Sequence, residues 1–241
     1  MLTTLLVVLA ASPAAHTHFT WTVTDVRESK VAGLPSNTEA HPAKQLGKLT
    51  FDVEVLESGE DEVRKLTLTI TSGPQSLKGR SWRIEPSYGE AALTELTPGK
   101  RQAGPPWLPS LASTLIGVDP IIAASKSGAT CDEATRAAVA KATQKVVMAL
   151  LALRDDQAPL SDATAECTKT PGAYAVRLVQ VMPVLDQSFT LVWSGTVKTD
   201  SWRSSLALQA PANFTFNPGP GKTPWRFTGK MVLESRWTAA K

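Results

Sequence analysis

The sequence predicts an α+β fold: a curved antiparallel β-sheet, or open half-barrel, with a helical insertion between two β segments. Alternating apolar and polar residues, typical of strands with one buried face, occur near both ends of the chain. The segment Cys131–Cys167 between them contains the one strongly helical pattern. The last alternating stretch, Trp225–Trp237, is about twice the usual strand length of roughly five or six residues. Such long two-faced strands suit a curved sheet or barrel.

The first β segment covers residues 17–97. Its clearest part is a hairpin, in which apolar residues alternate with Thr, Asp and Glu on either side of an acidic turn at residues 57–62. Residues 29–47 contain Gly, Pro and Asn and predict a long loop. The predicted inward-facing residues are Phe19, Trp21, Val23, Leu49, Phe51, Val53, Val55, Leu66, Leu68, Ile70, Trp82 and Ile84.

The helical insertion covers residues 108–167. Residues 108–124 are apolar but interrupted by Gly117 and Pro120, which predicts two short helical pieces. We expect them to belong to the core; the alternative is an apolar rim that meets a ligand or membrane. After Cys131, one apolar stripe repeats at helical spacing through Val139, Ala142, Val146, Ala149 and Leu153. Thr130–Glu133 fits a capping box, in which the Thr130 hydroxyl would accept from the backbone N–H three residues on and the Glu133 side chain would reach back. The helix must end before Pro159.

The second β segment covers residues 172–240 and predicts strands around Leu178, Leu191, Leu206 and Phe214, before the long terminal strand. Gly195 and Gly229 lie within strand patterns, where glycine allows a sheet to bend. The dipeptide Phe-Thr recurs at Phe19, Phe189, Phe214 and Phe227 without a regular period.

Residues 1–15 resemble a secretory signal, with an apolar centre and small residues before Ala15, although no basic residue precedes the apolar run. We therefore expect a single exported α+β domain over residues 16–241, periplasmic or secreted. The alternatives are that residues 1–15 form a buried first strand or that the start codon is misplaced. In an oxidising compartment Cys131 and Cys167 should form a disulfide; otherwise they are two buried thiols.

The distribution of charged residues argues against nucleic-acid binding and against a transmembrane helix. The net charge is +3, without a cluster of Lys and Arg, so nucleic-acid binding is not indicated. The main helix carries Lys141, Gln144 and Lys145 at its middle, so we expect no transmembrane span in the mature chain.

Catalytic motifs are sparse, and the sequence favours a non-enzymatic protein. There is no Gly-x-Ser-x-Gly elbow, and all three histidines lie near the start of the chain. Lys222-Thr223 lacks the first glycine of a phosphate loop and is followed by Pro224, so no helix follows it. No catalytic residue, cofactor site or metal site is assigned.

An N-terminal histidine offers a further alternative. Cleavage after Ala15 would place His16 at the new terminus, where its amine and imidazole could bind copper with His41 as a second ligand. His18 could instead bind Cu²⁺ through the backbone nitrogens that precede it. The first arrangement resembles the terminus of copper-dependent lytic polysaccharide monooxygenases, which implies a copper-dependent or carbohydrate-active enzyme.

Three tryptophans on apolar strand faces, Trp193, Trp225 and Trp237, either line a pocket for a lipid or other apolar ligand or fill the core. The predicted layout resembles that of periplasmic lipid carriers at the level of the fold. We therefore expect a non-enzymatic protein that binds a lipid or apolar small molecule between sheet and helix. The alternative is a structural or protein-interaction module whose partner is another envelope protein.

Overall fold

The computed structural model describes residues 18–32, 47–58, 63–87, 90–97, 104–115, 121–122, 124, 131–153, 160–184, 187–200 and 203–239. Two helices, α1 (Leu108–Leu115) and α2 (Glu133–Ala152), lie between two groups of strands in the chain. The first group is β1 (His18–Ala32), β2 (Gly47–Ser58), β3 (Val63–Ser72), β4 (Ser81–Ser87) and β5 (Glu90–Glu95). The second is β6 (Leu160–Cys167), β7 (Ala173–Val184), β8 (Gln187–Asp200), β9 (Arg203–Pro211), β10 (Phe214–Phe216) and β11 (Trp225–Ala239).

All eleven strands belong to one sheet, and every pairing in it is antiparallel. The order is β5-β4-β3-β2-β1-β11-β9-β8-β7-β6, and β10 pairs with β11. The sheet is not closed, because β5 and β6 remain as edge strands. The predicted combination of antiparallel sheet and helices is therefore confirmed.

Strands β1 and β11 join the two β segments into this single sheet. They pair in unbroken register from Phe19↔Ala239 to Ala32↔Arg226. A strand from the start of the chain thus lies beside the last one, and each β segment extends the sheet outward from this central pair.

The sheet has one buried face, which we call the inner face. Alternate residues along its strands are buried while their neighbours are more exposed, as the period-two patterns predicted. Almost all the inward-facing residues predicted for the first β segment are buried; Val55 is partly exposed.

The two helices complete the core against the edges of the sheet. Helix α1 contacts β5, α2 contacts β6 and β7, and the helices contact each other. The predicted stripe of α2, from Val139 to Leu153, is buried throughout. Residues 121, 122 and 124 are also helical, and Ile121 and Ile122 are buried, which confirms the two helical pieces predicted for residues 108–124. Neither α1 nor α2 is long and apolar enough to cross a membrane.

The structure differs from the sequence prediction at three places. Strand β1 continues to Ala32, so residues 29–32 are paired with β11 instead of belonging to the predicted loop. Residues 160–167, which we placed in the helical insertion, form strand β6. The N-cap of α2 is Asp132, whose Oδ1 accepts from the Thr135 backbone amide at 2.7 Å. The predicted capping residue, Thr130, lies outside the described residues.

The predicted disulfide is confirmed. Cys131 and Cys167 are bonded, with their Cα atoms 6.2 Å apart. The bond joins the residue before the N-cap of α2 to the last residue of β6. One turn along the helix, Arg136 Nη1 donates to Glu166 Oε2 at 3.0 Å, so two contacts hold the start of α2 to the end of this edge strand.

Candidate functional site

The three predicted ligand-facing tryptophans lie on the inner face but not together. Trp193 is fully buried, and its Nε1 donates to Gln180 Oε1 at 2.9 Å. Trp237 is buried and stacks on Phe19, with ring centroids 5.0 Å apart. Trp225 is partly exposed near the opposite end of β11, about 40 Å from Trp237 along the strand. Two of the three therefore belong to the core, and a ligand-facing role remains a prediction.

A different aromatic group lies on the inner face near Trp225. Phe189 in β8, Phe214 in β10 and Phe227 in β11 form what we call the aromatic row. Their ring centroids are 4.4 Å apart between Phe189 and Phe214 and 4.6 Å apart between Phe214 and Phe227. All three side chains are partly exposed. Unlike Trp193, they form an apolar surface that solvent can reach.

The register of the sheet builds this row. Phe214 pairs with Phe227, and Met182 in β7 pairs with Phe189. Val31 in β1 occupies the register position on the other side of Phe227. Four neighbouring strands, β7, β8, β10 and β11, thus each place an apolar residue at the same level of the sheet.

Strand β10 is essential to the row because it fills the position that β9 leaves when it ends. Strand β9 pairs with β11 as far as Pro211↔Lys230, and β10 resumes the pairing at Phe214↔Phe227. The side chain of Gln187 fixes β10 to the start of β8: its Nε2 donates to the Asn217 carbonyl at 2.8 Å, and its Oε1 accepts from the Asn217 amide at 3.4 Å.

The sequence alone assigns none of these phenylalanines to a site, although the recurring Phe-Thr dipeptide marks them. Three of the four Phe-Thr dipeptides supply the aromatic row, and the fourth, at Phe19, supplies the core beside Trp237. Alternation within a strand predicts which face of the sheet each phenylalanine occupies, but it does not predict which strands are neighbours. The aromatic row therefore could not be predicted without the strand order.

The histidines of the copper alternative are only partly described. His16 and His41 lie outside the described residues. His18 Nε2 lies 3.0 Å from Asp52 Oδ2, and this hydrogen bond raises the pKa of His18. Within the described ranges, no three His, Cys, Asp or Glu residues are grouped closely enough to hold a metal ion.

Comparison of the chain with protein-family models, with curated proteins and with solved structures found no match. The chemistry of the aromatic row and of the paired cysteines is therefore the basis for assigning a function.

Proposed function

We propose that this protein is exported and non-enzymatic, and that it binds a lipid or other apolar ligand against the aromatic row. The observation that carries the proposal is the partial exposure of three phenylalanines, in ring contact with one another, on the same face of the sheet as the core. Phe189 and Phe227 lie outside the buried core cluster, whereas Phe214 packs against its margin.

Exposed apolar area is costly in water, at roughly 25 cal/mol per Å², so an apolar ligand that covers the row gains free energy. A contiguous apolar patch is typical of a binding surface, whereas isolated exposed apolar residues are ordinary. Met182, which pairs with Phe189, adds an unbranched side chain that can adjust to the shape of an acyl chain.

The ligand would enter at the end of an open half-barrel. Helix α1 contacts edge strand β5, α2 contacts edge strand β6, and the helices contact each other, as expected if the sheet curves around them. The Phe189–Phe227 end of the inner face then forms the mouth of the half-barrel. This placement modifies the prediction of a cavity between sheet and helix, because Trp193 and Trp237 belong to the core.

Export is supported by the Cys131–Cys167 disulfide, because disulfides persist mainly in oxidising compartments. The apolar residues 1–15 would supply the signal. A periplasmic or secreted location would bring the aromatic row into contact with envelope lipids.

The test is to purify the protein from an oxidising compartment, identify co-purified lipids by mass spectrometry, and titrate it with the apolar dye N-phenyl-1-naphthylamine. We expect bound lipid and saturable dye binding that Phe227→Ser weakens. The matched control is Leu96→Ser, which removes an apolar side chain that is 38% exposed and lies away from the row.

Equal loss of dye binding in the two variants, or wild-type protein that retains no lipid and binds no dye, would refute the proposal. The second result would favour the alternative of a structural or protein-interaction module.

A further inference from the structure

A second surface feature lies at the other end of strands β7, β8, β9 and β11. It is a cleft of about 370 Å³, lined by the turn that precedes β7 and by the adjoining ends of the other three strands. Gly172 shapes one wall: its backbone has φ +70°, and its carbonyl accepts from the Thr199 amide at 2.8 Å. A Cβ at this position would lie 2.5 Å from the Thr199 carbonyl oxygen, so the turn can approach β8 only with glycine.

The cleft is lined by three exposed cations, Lys198, Arg203 and Arg236, and by one carboxylate, that of Asp200. None of these three cations forms an ion pair within the described part of the chain. Asp200 lies opposite Arg203 in the β8–β9 register, so the cleft holds three cations against one carboxylate. The net positive charge attracts anions.

The sheet register places these cations on one face. Ser205 pairs with Lys198 on one side and with Arg236 on the other, so Lys198 and Arg236 are two strand spacings, or about 10 Å, apart. Arg203 is two residues from Ser205 and therefore faces the same way. This spacing lets the long side chains converge on one anion, and the Ser205 hydroxyl lies between them as a further donor.

We infer that this cleft binds the phosphate group of a small molecule or of a lipid headgroup. Arginine guanidinium groups present paired donors that match phosphate oxygens, and lysine and serine add single donors. The volume exceeds that of one oxyanion and leaves room for the rest of a ligand. This site is distinct from the aromatic row, since Lys198 and Phe189 are about 30 Å apart along β8.

The test measures binding of inorganic phosphate by calorimetry, with acetate at matched ionic strength as the comparison anion. The site variant is Arg236→Glu, and the matched control is Arg226→Glu, an exposed arginine on the same strand outside the cleft. Vesicles with and without phosphatidylglycerol test the headgroup source. Thermal unfolding of both variants checks that they fold, and Lys198→Glu provides a second site variant.

We expect phosphate to bind more tightly than acetate. Arg236→Glu should weaken binding about tenfold or more, because one charge-assisted hydrogen bond contributes on that scale, whereas Arg226→Glu should not. Vesicle binding that requires phosphatidylglycerol and is lost only in the site variants would assign the phosphate to a headgroup.

The inference fails if neither phosphate nor the anionic vesicles bind, if acetate binds as well as phosphate, or if Arg226→Glu weakens binding as much as Arg236→Glu. Because dye binding at the aromatic row does not use these residues, failure here leaves the proposed function intact, and the reverse also holds.

Discussion

At Gly195 in β8, the backbone of β9 leaves no room for a side chain. A Cβ built there would overlap the carbonyl oxygen of Ala207 and lie 3.0 Å from the Cα of Leu208. The strand pattern predicts that this glycine allows the sheet to bend; in the structure, the close approach of β8 and β9 requires it. We expect Gly195→Ala to lower the free energy of unfolding by about 1–3 kcal/mol, the usual cost of overpacking.

Urea denaturation measures this effect, with Ser194→Ala as the control because Ser194 is the exposed neighbour of Gly195. Equal stability of Gly195→Ala and wild type would show that the two strands can separate without cost.

Arg80 forms the most buried of the ion pairs that the structure describes. Its Nε and Nη2 donate to the two carboxylate oxygens of Glu95 at 2.8 and 2.9 Å, and its guanidinium lies 5.0 Å from the ring centroid of Trp82. The side chains are only 6% and 14% exposed. Glu95→Gln should lower the free energy of unfolding by about 3 kcal/mol, because it removes the negative charge that faces the buried Arg80 guanidinium.

The control for this prediction is Glu85→Gln, which breaks the exposed Lys65–Glu85 pair and should cost less than about 1 kcal/mol. Urea denaturation of both variants makes the comparison, and similar losses would contradict the importance of burial.

The protonation of His18 makes the stability of the fold depend on pH. Its hydrogen bond to Asp52 raises the pKa of His18 above the usual 6.5. The pair therefore stabilises the fold fully below pH 6.5, and the stabilisation disappears as pH rises through the folded-state pKa. The two side chains are 47% and 42% exposed, so the contribution should stay below about 1 kcal/mol.

An NMR titration of the His18 ring should show the raised pKa, and Asp52→Asn should bring the pKa back toward 6.5. An unchanged pKa in that variant would exclude Asp52 as the cause.

At the scale of single elements, helix α2 depends on Asp132 for its start. The Asp132 side chain accepts the Thr135 amide hydrogen, and its negative charge also lies at the positive end of the helix dipole. Asp132→Ala should lower the free energy of unfolding by about 1 kcal/mol, whereas Asp132→Asn should recover most of the loss because asparagine is an equally good cap. Thermal and urea unfolding of the two variants test this, and equal losses would show that the acceptor is not the essential property.

The sequence predicted helices and strands well where a regular row of apolar residues is buried. It predicted them poorly where irregular pairing with a neighbouring strand determines the structure. The strands of β2 and β3 and the stripe of α2 follow directly from the spacing of apolar residues. Strand β6 does not: its register shifts between Ser161 and Thr164, and Asp162 has φ +48°, so its side chains do not alternate regularly. The predicted N-cap, Thr130, precedes the observed one, Asp132, by two residues. Both residue types are good N-caps, and the spacing of apolar residues alone does not distinguish between them.

At the scale of the whole molecule, neither candidate site could be read from the sequence, because each is assembled across strands. The aromatic row needs β10 to follow β9 along β11, and the cleft needs the turn at Gly172 to approach the β8–β9 pair. Alternation fixes which face a residue occupies, but strand order fixes its neighbours. The β1–β11 pair at the centre of the sheet joins residues from opposite ends of the sequence, from Phe19↔Ala239 to Ala32↔Arg226.

The disulfide acts at this same scale because it holds an edge of the sheet to the helices. It joins the start of α2 to the end of edge strand β6, and α2 in turn contacts α1, which contacts the other edge strand, β5. The two cysteines are 36 positions apart in the sequence. Closing a chain loop of that size stabilises a fold by about 3–4 kcal/mol in chain-entropy estimates. The Cys131→Ser/Cys167→Ser double variant should lose about that much in urea denaturation.

Removal of the disulfide should destabilise one region of the fold more than the rest. Amide hydrogen exchange should become faster first in α2 and β6, while the central β1–β11 pair, hydrogen-bonded on both sides by β2 and β9, should keep its protection. Treating the wild type with a thiol reductant should reproduce both effects, which separates loss of the covalent bond from any effect of the serine side chains. Uniformly faster exchange across the sheet would instead mean that edge and centre unfold as one unit, so that the bond acts only on the unfolded chain.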